Sequence, residues 1–167
     1  GTTNNNGNTI IDVQNKKGNV NIIIPGNNGN ETSIPIIIMP ENPQTNITIT
    51  DDGQVNITIT DENNNPVPNI PINITDKDGN VIANGTTDEN GNVIINIGDN
   101  IGGININTPR NNGKNNATPT TVMPENTKTN ITITDDGQVN ITLTDENGKP
   151  IPGVPINITD NKGNIIG

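Results

Sequence analysis

A fourteen-residue segment, TNITITDDGQVNIT, occupies residues 45–58 and occurs again, letter for letter, at residues 129–142. The two copies are 84 residues apart, since 129 minus 45 is 84. The same offset, applied without a gap, aligns residues 44–83 with residues 128–167, and 29 of these 40 positions are identical. A period of this length is typical of tandem domains, because solenoid units usually have about 20 to 50 residues. We therefore predict tandem domains with an 84-residue period.

Each period contains short segments in which apolar and polar residues alternate, as in TNITIT at 45–50 and QVNITIT at 54–60. Similar segments lie at 70–75, 80–84, 92–97, 103–108 and, more weakly, 118–123. Clusters of Asp, Asn, Gly and Pro separate them, and these residues favour turns. About seven short strands with frequent turns predict an all-β fold of tandem immunoglobulin-like β-sandwich repeats.

Alternation along a strand places one set of side chains in the core and the next toward solvent. The predicted inward residues are Ile47, Ile49, Ile57, Ile59, Ile72 and Ile74. The predicted outward residues are Asn46, Thr48, Asn56, Thr58, Asn73 and Thr75. The chain has no Phe, Tyr or Trp, so its core must consist mainly of Ile and Val, whose branched side chains suit sheets. Disorder is the alternative for so Asn-rich a chain, but disorder gives no reason for two copies to keep the alternation.

The period also predicts where the domains lie. Residues 1–40 are interpreted as the C-terminal half of one repeat, residues 41–124 as a complete repeat, and residues 125–167 as the N-terminal half of the next. Two arrangements stay open for the halves. Either the sequence is a window on a longer array, or the C-terminal half of one chain pairs with the N-terminal half of another by strand complementation.

Composition argues against several classes of function. Eighteen acidic residues against eight basic ones give a net charge of −10, whereas nucleic-acid binding requires a basic surface. Without Cys or His, the chain lacks thiol nucleophiles, histidine bases and the usual zinc ligands. We expect that the protein is not an enzyme and that this segment has no membrane span, since no apolar run approaches about 18 residues.

Calcium is the one cofactor that the acidic turns suggest. The candidate residues are Asp51, Asp52, Asp76, Asp78, Asp88 and Glu89. They offer hard oxygen ligands, but a complete calcium-binding loop with its distal Glu is absent. Asp78 is replaced by Lys162 in the second copy. We therefore expect these residues to shape turns, and we expect no cofactor.

Asn-x-Thr triplets predict N-linked glycosylation in a secreted protein. The candidate acceptors are Asn30, Asn46, Asn56, Asn73, Asn84, Asn116, Asn130, Asn140 and Asn157. In a strand, the Asn and Thr of such a triplet lie on the face opposite the central residue. The alternative is that Asn and Thr alternating with Ile generate these triplets by chance.

Residues 60–97, TDENNNPVPNIPINITDKDGNVIANGTTDENGNVIINI, and residues 139–166, VNITLTDENGKPIPGVPINITDNKGNII, carry the most specific pattern. They resemble bacterial Ig-like repeats of invasin and intimin type, and also the Asn- and Ile-rich Ig-like repeats of adhesin-like surface proteins of methanogenic archaea. The shared features are TDENG-P-P--P, then TD--GN, then TTDENGNV. This resemblance implies an extracellular, cell-surface, non-enzymatic stalk or adhesive array. The complementary half-repeats at the two ends predict that its partners are further copies arranged head to tail. A second hypothesis is a module that binds a carbohydrate or a host surface through its turn clusters.

Overall fold

The computed structural model describes residues 1–13, 16–50 and 53–167, and in these residues the protein is all-β, as the alternation predicts. A single 3-10 turn at Asn27–Gly29 interrupts the strands, and no described helix is long and apolar enough to cross a membrane. The strands are β1 (Gly18–Pro25), β2 (Glu31–Ile38), β3 (Gln44–Ile49), β4 (Gln54–Thr60), β5 (Pro71–Asp76), β6 (Val81–Thr86), β7 (Asn92–Asn96), β8 (Gly102–Pro109), β9 (Asn115–Val122), β10 (Lys128–Ile133) and β11 (Val139–Thr144).

Seven of these strands, β3 to β9, form what we call the central unit. One sheet has the strand order β3-β4-β7 and the other has the order β6-β5-β8-β9, with antiparallel pairing throughout. Apolar side chains from both sheets form one cluster. Its buried members are Met39, Val55, Ile57, Ile59, Val67, Ile70, Ile72, Ile74, Val93, Ile95, Ile97, Ile104, Ile106 and Val122. This arrangement is compatible with a β-sandwich.

The predicted inward residues all contact the core of the central unit. Ile57, Ile59, Ile72 and Ile74 are buried, and Ile47 and Ile49 are half-buried against the cluster. The inner strands β4 and β5 therefore hold the centre of the core. The edge strand β3 lies at its margin, where fewer neighbours cover each side chain.

The predicted outward residues are only in part exposed. Asn46, Thr48 and Asn73 are exposed, whereas Asn56, Thr58 and Thr75 are half-buried. The three half-buried residues lie on the inner strands β4 and β5, although Asn73, also on β5, stays exposed. The Thr58 hydroxyl donates a hydrogen bond to Asn92 Oδ1 on β7 at 2.7 Å.

The last strand of the central unit extends further than the sequence pattern indicates. The segment PRNNGKNNATP, residues 109–119, reads as a loop or a lead into that strand, yet β8 continues through Pro109 and β9 begins at Asn115. Gly113, with φ of +74°, lies in the short turn between them. Residues 115–117 have no apolar alternation of their own, and they form a strand because they pair with β8.

Two separate hairpins, β1–β2 and β10–β11, flank the central unit. Their registers match those of two central hairpins at positions 84 residues away. The first pairs are Gly18 with Ile38 in β1–β2, Gly102 with Val122 in β8–β9, Lys128 with Thr144 in β10–β11, and Gln44 with Thr60 in β3–β4. Similar sequences therefore adopt the same pairing inside and outside the central unit.

Among the described residues of the central unit, Thr87 is the least exposed polar residue, with 2% of its surface exposed. Its hydroxyl donates to the Val67 carbonyl oxygen and accepts from the Ile70 N–H, each at 2.9 Å.

We expect Thr87→Val to lower the free energy of unfolding by about 1–3 kcal/mol, because it leaves buried backbone groups without this partner. Urea denaturation followed by far-UV circular dichroism measures the change. The exposed neighbour gives the control, since Thr86→Val should change stability by no more than about 0.5 kcal/mol. Equal effects of the two substitutions would contradict the assigned role.

Candidate functional site

Two apolar faces lie on the flanking hairpins. We call the first the β1–β2 face, formed by Val20, Ile22, Ile24, Ile34 and Ile36. We call the second the β10–β11 face, formed by Ile131, Ile133, Val139, Ile141 and Leu143. Alternation places each set on one side of its hairpin. All ten side chains are exposed or half-buried. Contiguous exposed apolar surface of this kind marks interaction sites in soluble proteins.

Residues 84 positions away in the central unit show that these faces lack a covering sheet. Ile106 in β8 is 0% exposed, whereas Ile22, at the corresponding position of β1, is 43% exposed. Val55 in β4 is likewise 0% exposed, and its counterpart Val139 in β11 is 39% exposed. In the central unit, β8 and β4 belong to opposite sheets that share one core. Each flanking hairpin therefore presents the face that its counterpart buries against the other sheet.

Acidic residues form a second recurrent feature, at the turns. In each case, one carboxylate oxygen accepts hydrogen bonds from the backbone N–H groups two and four residues further along the chain. The residues that do so are Asp61, Asp76, Asp88, Asp145 and Asp160. At Asp76 both bonds are 2.9 Å long, and the Asn80 amide donates a third to the other oxygen. These carboxylates close their own turns.

Two of the calcium candidates that the structure describes, Asp76 and Asp88, follow this pattern. Asp76 and Asp88 bind their own turns, and the Asp78 carboxylate accepts from Lys77 Nζ at 2.7 Å. Glu89 lies in the same turn as Asp88, and Asp51 and Asp52 lie outside the described residues. Within the described ranges there is no group of three or more acidic, His or Cys side chains that could hold a metal ion.

The hydrogen bonds in the Asp76 turn affect the pKa of Asp76 and, through it, the dependence of stability on pH. A side-chain hydrogen bond from Asn80 is the largest cause that holds the pKa of Asp76 below its ordinary value of 3.8. A carboxyl whose pKa is lowered by folding stabilises the fold above pH 3.8, and this contribution is lost as the pH falls through the lower, folded value. Asn80→Ala should therefore raise the pKa of Asp76 toward 3.8, which NMR titration of the side-chain carbons measures. Asp160, whose own partner Asn164 is unchanged, serves as the control. If the pKa of Asp76 does not move, the Asn80 bond is not its main cause.

The candidate glycosylation residues are distributed over both sheets and both flanking hairpins. Eight of the nine are exposed: Asn30, Asn46, Asn73, Asn84, Asn116, Asn130, Asn140 and Asn157. Asn56 is half-buried, and its Oδ1 atom is buried without a hydrogen-bond partner. The Asn116 Oδ1 atom accepts from Arg110 Nη2 at 2.8 Å. The structure therefore leaves the side chains of most candidates accessible and encloses one of them.

A cleft that the sequence motifs did not predict lies between the segment before β3 and the β8–β9 turn. Its cavity volume is about 570 Å³, and its lining includes Glu41, Arg110 and Asn112. Asn111 closes one side, since its amide donates to the Met39 carbonyl oxygen at 2.8 Å and accepts from the Met39 N–H at 2.7 Å. One sequence signal exists for this cleft. The β8–β9 turn is a place where the two copies differ, because position 26, which matches Arg110, is a glycine.

Comparison with known proteins assigns no family to the chain. A scan against protein-family models finds no match, and a search of curated proteins finds none either. The resemblance to Ig-like adhesin repeats therefore stays a hypothesis based on the sequence motifs, and the case for a function depends on the geometry of the faces, turns and cleft.

Proposed function

We propose that the chain is a non-enzymatic structural segment of an extracellular surface fibre or adhesin stalk, built from serial Ig-like sandwiches with an 84-residue period. In this proposal the central unit is one complete repeat. The flanking hairpins are parts of the preceding and following repeats. Length comes from the number of units, and solubility comes from the Asn- and Thr-rich outer faces.

One observation carries this proposal. Hairpins with the same register occur at positions 84 residues apart, and Ile106 and Val55 of the central unit are buried whereas their counterparts Ile22 and Val139 are exposed. An isolated two-stranded hairpin is at best marginally stable in water. Each flanking hairpin therefore gains stability when a second sheet covers its apolar face.

The cover that fits each face has the chemistry of the missing half of a sandwich. For the β10–β11 face, the matching cover is a hairpin like β1–β2, because β8–β9 lies in the sheet opposite β3–β4 in the central unit. Such a cover is supplied either by neighbouring repeats in a longer chain or by a second copy arranged head to tail. Strand complementation between chains is the second of these routes.

Exposed Asn-x-Thr triplets support a glycosylated, cell-surface setting for this segment. Glycans on the outer faces would add solubility and hinder pairing between exposed strand edges. The test is the intact mass of the protein isolated from its natural source, measured before and after deglycosylation. A fall in mass, with the glycans located on the exposed acceptors and not on Asn56, is the expected result. An unchanged mass would remove glycosylation from the proposal.

The cleft beside Arg110 favours a second candidate function, a module that binds a carbohydrate or host surface. Its lining offers several amide and hydroxyl groups and one guanidinium. Titration of the isotope-labelled chain with a glycan panel, followed by the Arg110 and Asn112 amide signals, tests this candidate. Arg110→Gly, which introduces the residue found at position 26, is the matched variant.

A further inference from the structure

The start of β8 makes a close backbone contact with a loop that follows the central unit. The Gly103 N–H donates a hydrogen bond to the Pro152 carbonyl oxygen at 2.8 Å. A Cβ atom added at Gly102, whose φ is +99°, would lie under 3.0 Å from that oxygen. A Cβ atom at Gly103 would lie under 3.0 Å from the Gly153 carbonyl oxygen. Two consecutive glycines therefore allow an approach that larger residues would prevent.

The same approach occurs at the start of β1. Gly18 is buried and has φ of +90°, and a Cβ atom there would lie under 3.0 Å from the Pro68 carbonyl oxygen. Gly18 and Gly102 are 84 residues apart, and so are Pro68 and Pro152. The approach of a glycine with positive φ to a proline carbonyl oxygen is thus present twice, once on each side of the central unit. The hydrogen bond at Gly103 belongs to the C-terminal contact, since the matching residue beside Gly18 is Asn19.

The two loops also share a backbone conformation. Asn69, which follows Pro68, has φ of +60°, and Gly153, which follows Pro152, has φ of +71°. Both values lie in the left-handed region that few residues adopt. The same unusual conformation beside the same contact indicates that the loop shape is specified, since the two residues differ in type.

Side chains reinforce the contact on the C-terminal side. Lys149 Nζ donates to the Asp99 carbonyl oxygen at 3.0 Å, across the same boundary. Ile151, next to Pro152, is only 6% exposed, although Ile133 in the neighbouring hairpin is 73% exposed. Ile151 is therefore covered, whereas Pro152 and Gly153 touch β8 through their backbone and stay exposed.

We propose that these contacts are two copies of one docking joint, in which the loop around Pro152 or Pro68 seats on the first residues of the preceding β8-type strand. The joint deepens the proposed function and rests on it, because it acts between serial units. Domains in one chain move relative to each other unless an interface holds them. A backbone contact that excludes side chains fixes the angle between successive units and makes the stalk a stiff rod. The partner that this surface fits is the proline-containing loop of the next unit.

The test measures distances across the joint. Asn46→Cys on β3 and Asn140→Cys on β11 provide two exposed labelling positions in a chain that has no native Cys. Spin labels at these positions, measured by double electron–electron resonance in excess unlabelled chain, give the distribution of distances between the central unit and the C-terminal hairpin. We expect a narrow distribution in the parent chain. Gly103→Val should broaden it about twofold or more, because loss of the contact restores free domain motion.

Matched variants separate a loosened joint from a misfolded chain. Asn105→Val places the same side chain two residues along the same strand, and it should leave the distribution narrow. Gly103→Ala adds only the Cβ atom and should give an intermediate width. Far-UV circular dichroism checks that each variant keeps its strands. A broad distribution in the parent chain, or an unchanged one in folded Gly103→Val or Gly103→Ala, would overturn the joint. These distance measurements do not depend on whether the apolar faces pair, because sedimentation velocity measures that association separately.

Discussion

Ile133→Asp should abolish self-association of the 167-residue chain, which we expect to assemble head to tail as its concentration rises. Ile133 belongs to the β10–β11 face and is 73% exposed. A carboxylate there would have to be buried against the apolar face of a second copy, and an unpaired buried charge is strongly unfavourable. Sedimentation velocity over a concentration series measures the loss. Ile94→Asp is the matched control, because Ile94 is 67% exposed on β7, outside both apolar faces.

Mixing two variants, each with one apolar face blocked, tests head-to-tail association more specifically. Ile22→Asp blocks the β1–β2 face and leaves the β10–β11 face intact, whereas Ile133→Asp does the reverse. Each variant alone should stay monomeric. An equal mixture should form dimers and nothing larger, because one intact face remains on each partner. Larger species in the mixture, or association that Ile94→Asp weakens as much as Ile133→Asp does, would show that other surfaces hold the copies together.

The second large effect concerns stability. Ile106→Ala should lower the free energy of unfolding by about 2–5 kcal/mol, because it removes a fully enclosed side chain and leaves a cavity between the sheets. Ile22→Ala removes the same atoms from the corresponding position of β1, which is 43% exposed, and should have an effect of less than about 1 kcal/mol. Both are measured in the Ile133→Asp background, so that no second copy covers Ile22.

The chain has no aromatic residues, so urea unfolding is followed by far-UV circular dichroism and not by fluorescence. The difference between the two variants is the informative quantity, since the substitution is identical and only the surroundings differ. Similar losses at Ile106 and Ile22 would mean that the β1–β2 face is already enclosed within a single chain in solution.

Much of the fold could be predicted because the alternation of apolar and polar residues is strong in most strands, including the edge strand β3. Ile57 and Ile72 occupy positions that period-two patterning assigns to the core, and both are buried. The turns could be predicted from the Asp residues that bond their own backbone, as at Asp76. In these cases the signal is local, so a short segment of sequence contains all of it.

What the sequence could not predict depends on contacts between distant residues. The alternation predicts a strand only at 118–123, whereas β9 begins at Asn115, because residues 115–117 form a strand by pairing with β8. Asn111 and Met39 meet across 72 residues to close the cleft. The buried Oδ1 of Asn56 likewise depends on its neighbouring strands, so its triplet looks the same as the exposed ones.

The most direct test of serial sandwich units is an isotope-filtered methyl NOE experiment on a mixture of labelled and unlabelled chains. Within the central unit, methyl contacts between β8–β9 and β3–β4 provide an internal reference. Serial sandwich units predict intermolecular contacts between β1–β2 and β10–β11 that match this reference, with residue numbers lower by 84 in one hairpin and higher by 84 in the other. An NOE between Ile106 and Ile57, for instance, would reappear between Ile22 of one copy and Ile141 of another. Intermolecular contacts that do not follow this shift, or no such contacts in an associated sample, would contradict the account.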